Sequence, residues 1–146
     1  MSQSKVDEAA ACFNEGFNCS SSVFSTYCED FGLDKKTGLK LACGLGGGMG
    51  RLQGTCGAVS GAYLLIGLKH GMYLKEDTDA RIKTYDMVRE FAKLFAERNE
   101  TTCCRDLLGV DLLNDDPQMT AGRIKETCPK LIRDAAEIVE QLLYSD

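Results

Sequence analysis

Apolar residues recur at helical spacing along nearly the whole chain. Val6, Ala9, Ala10, Phe13 and Phe17 share one face and Gly16 stops the pattern, which predicts a first helix near residues 4–15. Val23, Phe24, Tyr27 and Phe31 form a second stripe closed by Gly32. Asp34 is placed to cap a third helix reaching Cys43, after which the run Gly46-Gly47-Gly48-Met49-Gly50 imposes a loop or turn. A fourth helix is expected from about Cys56 to His70-Gly71. The clearest amphipathic pattern, Ile82, Tyr85, Val88, Phe91, Ala92 and Phe95, predicts a fifth over residues 78–98 with Asp77 or Thr78 as cap. Short helical pieces follow Thr102 and Pro117, and a last helix runs from Pro129 to about Leu143, with Leu131, Ile132, Ala135, Ile138, Val139 and Leu142 inward. No segment alternates as a strand. The expectation is an all-α single domain over residues 1–146, a compact bundle of about five to seven helices around a central helix that contains glycine and cysteine.

Charge identifies that central helix. Arg51 is the only charged residue between Leu41 and Leu68, as expected of a helix wrapped by others. Residues 1–71 carry six acids and six bases, so the net charge of −5 belongs to residues 72–146. Nothing in that total suggests a basic surface for nucleic acid or anionic lipid. The apolar run Ala58 to Leu68 is interrupted by Gly61 and Gly67 and is too short to span a bilayer, which takes ~20 residues. The opening Met1 to Lys5 lacks the apolar stretch of a secretory signal, so the expected location is the cytoplasm.

Eight cysteines then change the picture, because in a reducing compartment they point to metal, cluster or redox chemistry more often than to disulfides. Cys12, Cys19, Cys28, Cys43, Cys56, Cys103, Cys104 and Cys128 contain no C-x-x-C pair, which argues against a thioredoxin motif and against a zinc finger or ribbon. Any site must therefore be assembled from distant parts of the chain. Asn18 precedes Cys19, Thr55 precedes Cys56, Thr102 precedes Cys103-Cys104 and Thr127 precedes Cys128-Pro129. Asn and Thr are N-cap residues and proline suits a first turn, so each of these cysteines is expected at a helix start, where free N–H groups favour a thiolate. Cys12, Cys28 and Cys43 fall inside or at the ends of amphipathic helices and are expected as small buried hydrophobes.

The glycines have two readings. Gly57 and Gly61 lie four apart on the central helix and permit close approach of another backbone or of a cofactor. Gly47, Gly48 and Gly50 can form a nest of N–H groups for a thiolate or an iron–sulfur centre, with Arg51 as counter-charge; the alternative is a flexible surface loop. The run is neither a dinucleotide fingerprint nor a phosphate loop, so no nucleotide is expected. His70 sits where an imidazole commonly bonds the last carbonyls of a helix, and Met49 and Met72 are read as gap fillers rather than ligands.

Asn18-Cys19-Ser, the run Gly46 to Gly50, Thr55-Cys56-Gly57-Ala58-Val59-Ser60-Gly61, then Cys104-Arg-Asp-Leu-Leu-Gly109 and Cys128 together resemble the redox-active C_GCAxxG_C_C family over roughly residues 5–140. The family label writes Gly-Cys-Ala where this chain reads Cys56-Gly57-Ala58. That family is similar to the helical portion of split-Soret cytochromes, which implies an iron–sulfur or electron-transfer association. The resemblance favours Cys104 over Cys103 as the motif cysteine. The absence of Cys-x-x-Cys-His excludes covalent c-type haem.

Three functions are compatible with these residues. In the first, Cys19, Cys56, Cys104 and Cys128 converge on an iron–sulfur cluster or another thiophilic metal, for electron transfer or redox sensing, with Gly47, Gly48, Gly50, Arg51 and Gly57 around it. In the second, Cys56 attacks as a thiolate and one of the other three resolves the disulfide, without a cofactor. In the third, the cysteines hold a structural zinc in a non-catalytic module. The sequence does not identify a redox partner protein or a transporter-associated system, and a homodimer sharing one site stays open.

Overall fold

The computed structural model describes residues 3–145. Its helices begin where short polar side chains take up otherwise unpaired N–H groups. Asn18 accepts from Ser21 N at 3.0 Å, Asp34 from Thr37 N at 3.0 Å, Asp77 from Ala80 N at 3.2 Å and Asp116 from Met119 N at 3.1 Å. Each such cap is worth about 1 kcal/mol. They open α2 (Cys19–Tyr27), α3 (Lys35–Ala42), α5 (Thr78–Asn99) and α7 (Pro117–Leu143). The others are α1 (Val6–Asn14), α4 (Gly57–His70) and α6 (Cys104–Leu108). A 3₁₀ turn over Cys28–Phe31 ends at Gly32, whose φ of 94° is the left-handed stop its sequence position suggests. The fold is all-α, with no strand among the described residues and one isolated antiparallel bridge, Thr55 to Cys103.

α4 is the axis of the bundle, and α2, α5 and α7 pack around it. It buries Ala58, Val59, Ala62, Leu65 and Ile66 together with Gly57, Ser60 and Gly61. Tyr27 from α2, Phe91 and Phe95 from α5, and Ile132, Ala135, Ile138 and Val139 from α7 complete the main core. The two glycines of α4 act by close approach. A Cβ on Gly61 would stand 2.7 Å from the Ser20 carbonyl oxygen, and one on Gly57 would collide with Cys19 Sγ. The start of α2 is thereby pressed onto the start of α4. A second, smaller apolar cluster of Cys104, Leu108, Val110, Leu112 and Cys128 lies beside the main one.

Two elements differ from the sequence expectation. The last helix is one continuous 27-residue rod, Pro117–Leu143, that passes straight through Pro129 instead of starting there. Proline in a helix interior costs about 3 kcal/mol, because it removes an N–H and crowds the preceding turn. The inward face of Thr120, Cys128, Leu131, Ile132 and Ala135 offsets that cost by burial on both sides of the proline. On α5, Ile82 and Tyr85 stay exposed while Phe91 and Phe95 are buried, so full burial is confined to the second half of this helix.

The glycine run is a turn of unusual hand. Gly47, Gly48, Met49, Gly50 and Arg51 all have φ between 60° and 72°, and Gln53 follows at 62°. Left-handed backbone costs residues with a Cβ about 1–2 kcal/mol each. Hydrogen bonds hold it: Gly50 N to Gly44 O at 2.9 Å, Gln53 N to Gly47 O at 3.1 Å and Gly54 N to Gly48 O at 2.9 Å.

Candidate functional site

The left-handed turn, the two close-packed helix starts and the second apolar cluster meet at one cavity of about 540 Å³. That volume falls within the usual ~300–1,000 Å³ of ligand and cofactor sites. Cys19, Cys56, Cys104 and Cys128 all line it, together with Gly47, Gly50, Arg51 and Gly57. Cys19 and Cys56 come from the main core, Cys104 and Cys128 from the smaller cluster, so the cavity lies on the seam between the two. Gly48 does not line it. It packs between Gln53 and Cys104, where an added Cβ would stand 2.6 Å from Gln53 Cα and 2.8 Å from Cys104 Cβ.

Each cysteine is positioned by a different device. Cys19 is the first residue of α2, behind the Asn18 cap. Cys56 is itself the N-cap of α4, in place of the expected Thr55. Cys104 opens α6 after Cys103, which takes the cap position expected for Thr102. Two backbone bonds clamp the segments before α4 and α6 together: Cys56 N donates to Thr102 O at 2.7 Å and Cys104 N to Gly54 O at 2.7 Å. Cys128 is not at a helix start at all. It sits in the middle of α7, where its position on the inward face, rather than a free N–H group, brings it to the cavity.

The electrostatics follow from this burial. Loss of solvent pushes all four thiols above their ordinary range, Cys104 to about 11 and Cys128 to about 12, and neighbouring cysteines push Cys56, Cys104 and Cys128 further. Cys19 stands next to each of the other three in this respect. Backbone N–H groups work the other way: those of Gly47, Ser20 and Ala58 favour the Cys19 thiolate, and those of Ala58 and Val59 the Cys56 thiolate. The cavity wall thus carries oriented donors and one cation, Arg51, but no acid. Among the described residues, no three His, Cys, Asp or Glu side chains are grouped closely enough to hold a single metal ion.

The pH consequence has a defined sign. Thiols whose folded pKa is raised above the unfolded value of 9.0 stabilise the folded chain fully below that value. The contribution is lost as pH rises from there through about 11 and 12. Reduced, metal-free protein is expected to lose about 2 kcal/mol from each of Cys104 and Cys128 between pH 8 and pH 10.5. Urea titrations under argon at the two pH values measure this, and equal midpoints would contradict it.

The remaining cysteines separate cleanly. Cys12 and Cys28 are buried, as expected, but Cys43 is exposed at the C-terminal end of α3 and lines the mouth of the cavity. Ala42 takes the buried position of that turn and leaves Cys43 to face outward. Cys103 is half-buried, and its thiol donates to Gln53 O at 3.6 Å, away from the cavity. One equivalent of maleimide is therefore expected to react fast with native protein, at Cys43, and Cys43→Ser should abolish that phase; peptide mapping that finds Cys19 or Cys56 labelled first would contradict it.

Gln53 is the residue that sequence reasoning missed. It is buried, with a left-handed backbone. Its side chain donates to Val110 O at 2.8 Å and accepts from Leu112 N at 2.9 Å, which holds the loop after α6 against the glycine turn. The same side chain favours the Cys104 thiolate. A glutamine between a leucine and a glycine carries no sequence signal of this kind.

Helices wrapped around a cavity walled by buried thiols define an all-α protein with a cysteine-based site. The chain belongs to the family described as "Putative redox-active protein (C_GCAxxG_C_C)", whose model matches residues 17–142. The match takes in every cavity cysteine. No curated protein and no solved structure matches the chain. No helix among the described residues is long and apolar enough to cross a membrane.

Proposed function

We propose that Cys19, Cys56, Cys104 and Cys128 hold an iron–sulfur cluster, and that the protein transfers or senses electrons through it. The observation that carries this reading is the cavity itself, with four buried sulfurs from four separate elements around about 540 Å³. No three of these side chains are grouped closely enough among the described residues to hold a single ion, which weighs against a structural zinc. Thiols pushed up by burial are poor nucleophiles near neutral pH, which weighs against a cofactor-free disulfide exchange starting at Cys56. When bound, such a cluster supplies reversible one-electron chemistry. The chain's own part is to provide the thiolates, to exclude water with Leu108, Leu112 and Leu131, and to aim the N–H groups of Gly47 and Ala58 at the Cys19 sulfur. Arg51 balances negative charge at the mouth, and Gly57 leaves room for the Cys19 side chain.

Protein isolated without oxygen is expected to be coloured, to contain iron and acid-labile sulfide, and to bleach reversibly with dithionite. Colourless protein without iron or sulfide would overturn the cluster. If Cys56 and one other cavity cysteine then lost reactivity together in a redox titration, the disulfide reading would replace it.

A further inference from the structure

Charge is segregated along this chain in a way the redox site does not require. From Lys35 to Lys75 there are six cations, Lys35, Lys36, Lys40, Arg51, Lys69 and Lys75, and no acid, while all 22 acidic residues lie outside that segment. Within this segment Cys43, just after α3, and the left-handed turn line the cavity, while α3 itself lines the groove beside it through Leu39 and Lys40. Lys36, Lys40 and Arg51 are exposed, and none of them forms a salt bridge among the described residues. Arg51 is the only charged residue lining the cavity, and Lys40 the only one lining the groove beside it, which shares Gly16, Phe17, Asn18 and Cys43 with the cavity.

Apolar side chains stand exposed in the same place. Leu52 is 78% exposed and Leu41 61%, with Met49 and Phe17 also exposed. Met49 and Leu52 flank Arg51 in the turn, and Leu41 precedes the mouth residue Cys43 by two positions. The hydrogen bond from Asn18 to Cys43 O at 2.8 Å ties Phe17 and the start of α2 to this rim. Exposed apolar groups on a segment whose charges are all positive mark an interaction surface.

We infer that this rim docks an acidic electron-transfer protein. The inference rests on the redox reading above, since it places the partner at the opening nearest the buried cysteines. The chemistry that selects the partner is charge: unpaired lysines around a hydrophobic collar steer an acidic surface toward it, in a molecule whose remaining surface repels acid. A small free anion would need the cations but not the apolar collar.

The test uses a plant-type [2Fe–2S] ferredoxin, a small acidic redox protein, as the probe. Titrated at low salt into ¹⁵N-labelled protein, it is expected to shift amides of residues 36–52 and Phe17, and the shifts should fade between ~20 mM and ~300 mM salt as the Debye length shortens. The double variant Lys36→Glu/Lys40→Glu, and separately Leu52→Glu, should each weaken binding about tenfold. In anaerobic stopped flow the same variants should slow reduction by ferredoxin about tenfold, with reduction by dithionite unchanged. No shifts, shifts centred elsewhere, or variants that bind as wild type overturn the surface. Sulfate at matched ionic strength reproducing the shifts would also overturn it, in favour of a free anion. Absence of any reducible centre overturns the cluster instead, because the titration reads docking without it.

Discussion

Replacing Cys56 by Ser is expected to reduce the iron and acid-labile sulfide of anaerobically isolated protein to less than about a tenth of wild type, since even outer-shell changes cost ~10–100-fold in metal affinity. Cys56 is the sharpest position for this test. It is buried at the very start of the central helix, among N–H groups that favour its ionised form, and its serine replacement is close in size. Loss of fold is therefore a small part of the effect. Cys12→Ala is the control: Cys12 is buried beside Ser25, outside the cavity, so its removal should lower stability while leaving the iron content unchanged. Full iron in Cys56→Ser, or lost iron in Cys12→Ala, would show that the cysteines are divided wrongly.

The second large effect is steric. Gly48→Ala is expected to destabilise the protein by about 3 kcal/mol or more, from left-handed strain of ~1–2 kcal/mol added to overpacking of ~1–3 kcal/mol. The new Cβ would stand 2.6 Å from Gln53 Cα, 2.7 Å from Gly54 N and 2.8 Å from Cys104 Cβ, and two of those atoms are backbone that cannot swing aside. Gly44→Ala, where nothing lies within 4 Å of the added carbon, should change stability far less. Thermal or urea denaturation of the two variants side by side measures the difference, and equal midpoints would refute the close packing of the turn.

What was legible in the sequence was whatever depends on neighbours in sequence. Asn18, Asp34 and Asp77 announce α2, α3 and α5 because a cap bonds an N–H three residues on, and the uncharged stretch around Arg51 announces the buried helix. The four cavity cysteines were identified through their local contexts and the family motif, and they do line one cavity. For Cys128 the local context misled. Thr-Cys-Pro reads as a helix start, but the burial that carries α7 through Pro129 comes from helices far away in sequence. Cys43 failed for the opposite reason: helical periodicity places it near a buried face, yet the turn after Ala42 rotates it outward. Gln53 was invisible because its partners, Val110 and Leu112, lie more than fifty residues later.

The bridge between Thr55 and Cys103 bears on how the molecule is made. It joins segments nearly fifty residues apart, and the cavity needs Cys128, later still, to be complete. During synthesis the chain emerges from its N-terminal end. Cys19 and Cys56 leave the ribosome long before their companions, on helices whose mutual packing does not require them. For most of translation the nascent protein is a half-built thiol pocket, open on the side that α6 and α7 will cover. All four thiols can therefore face one cavity only once α7 has docked.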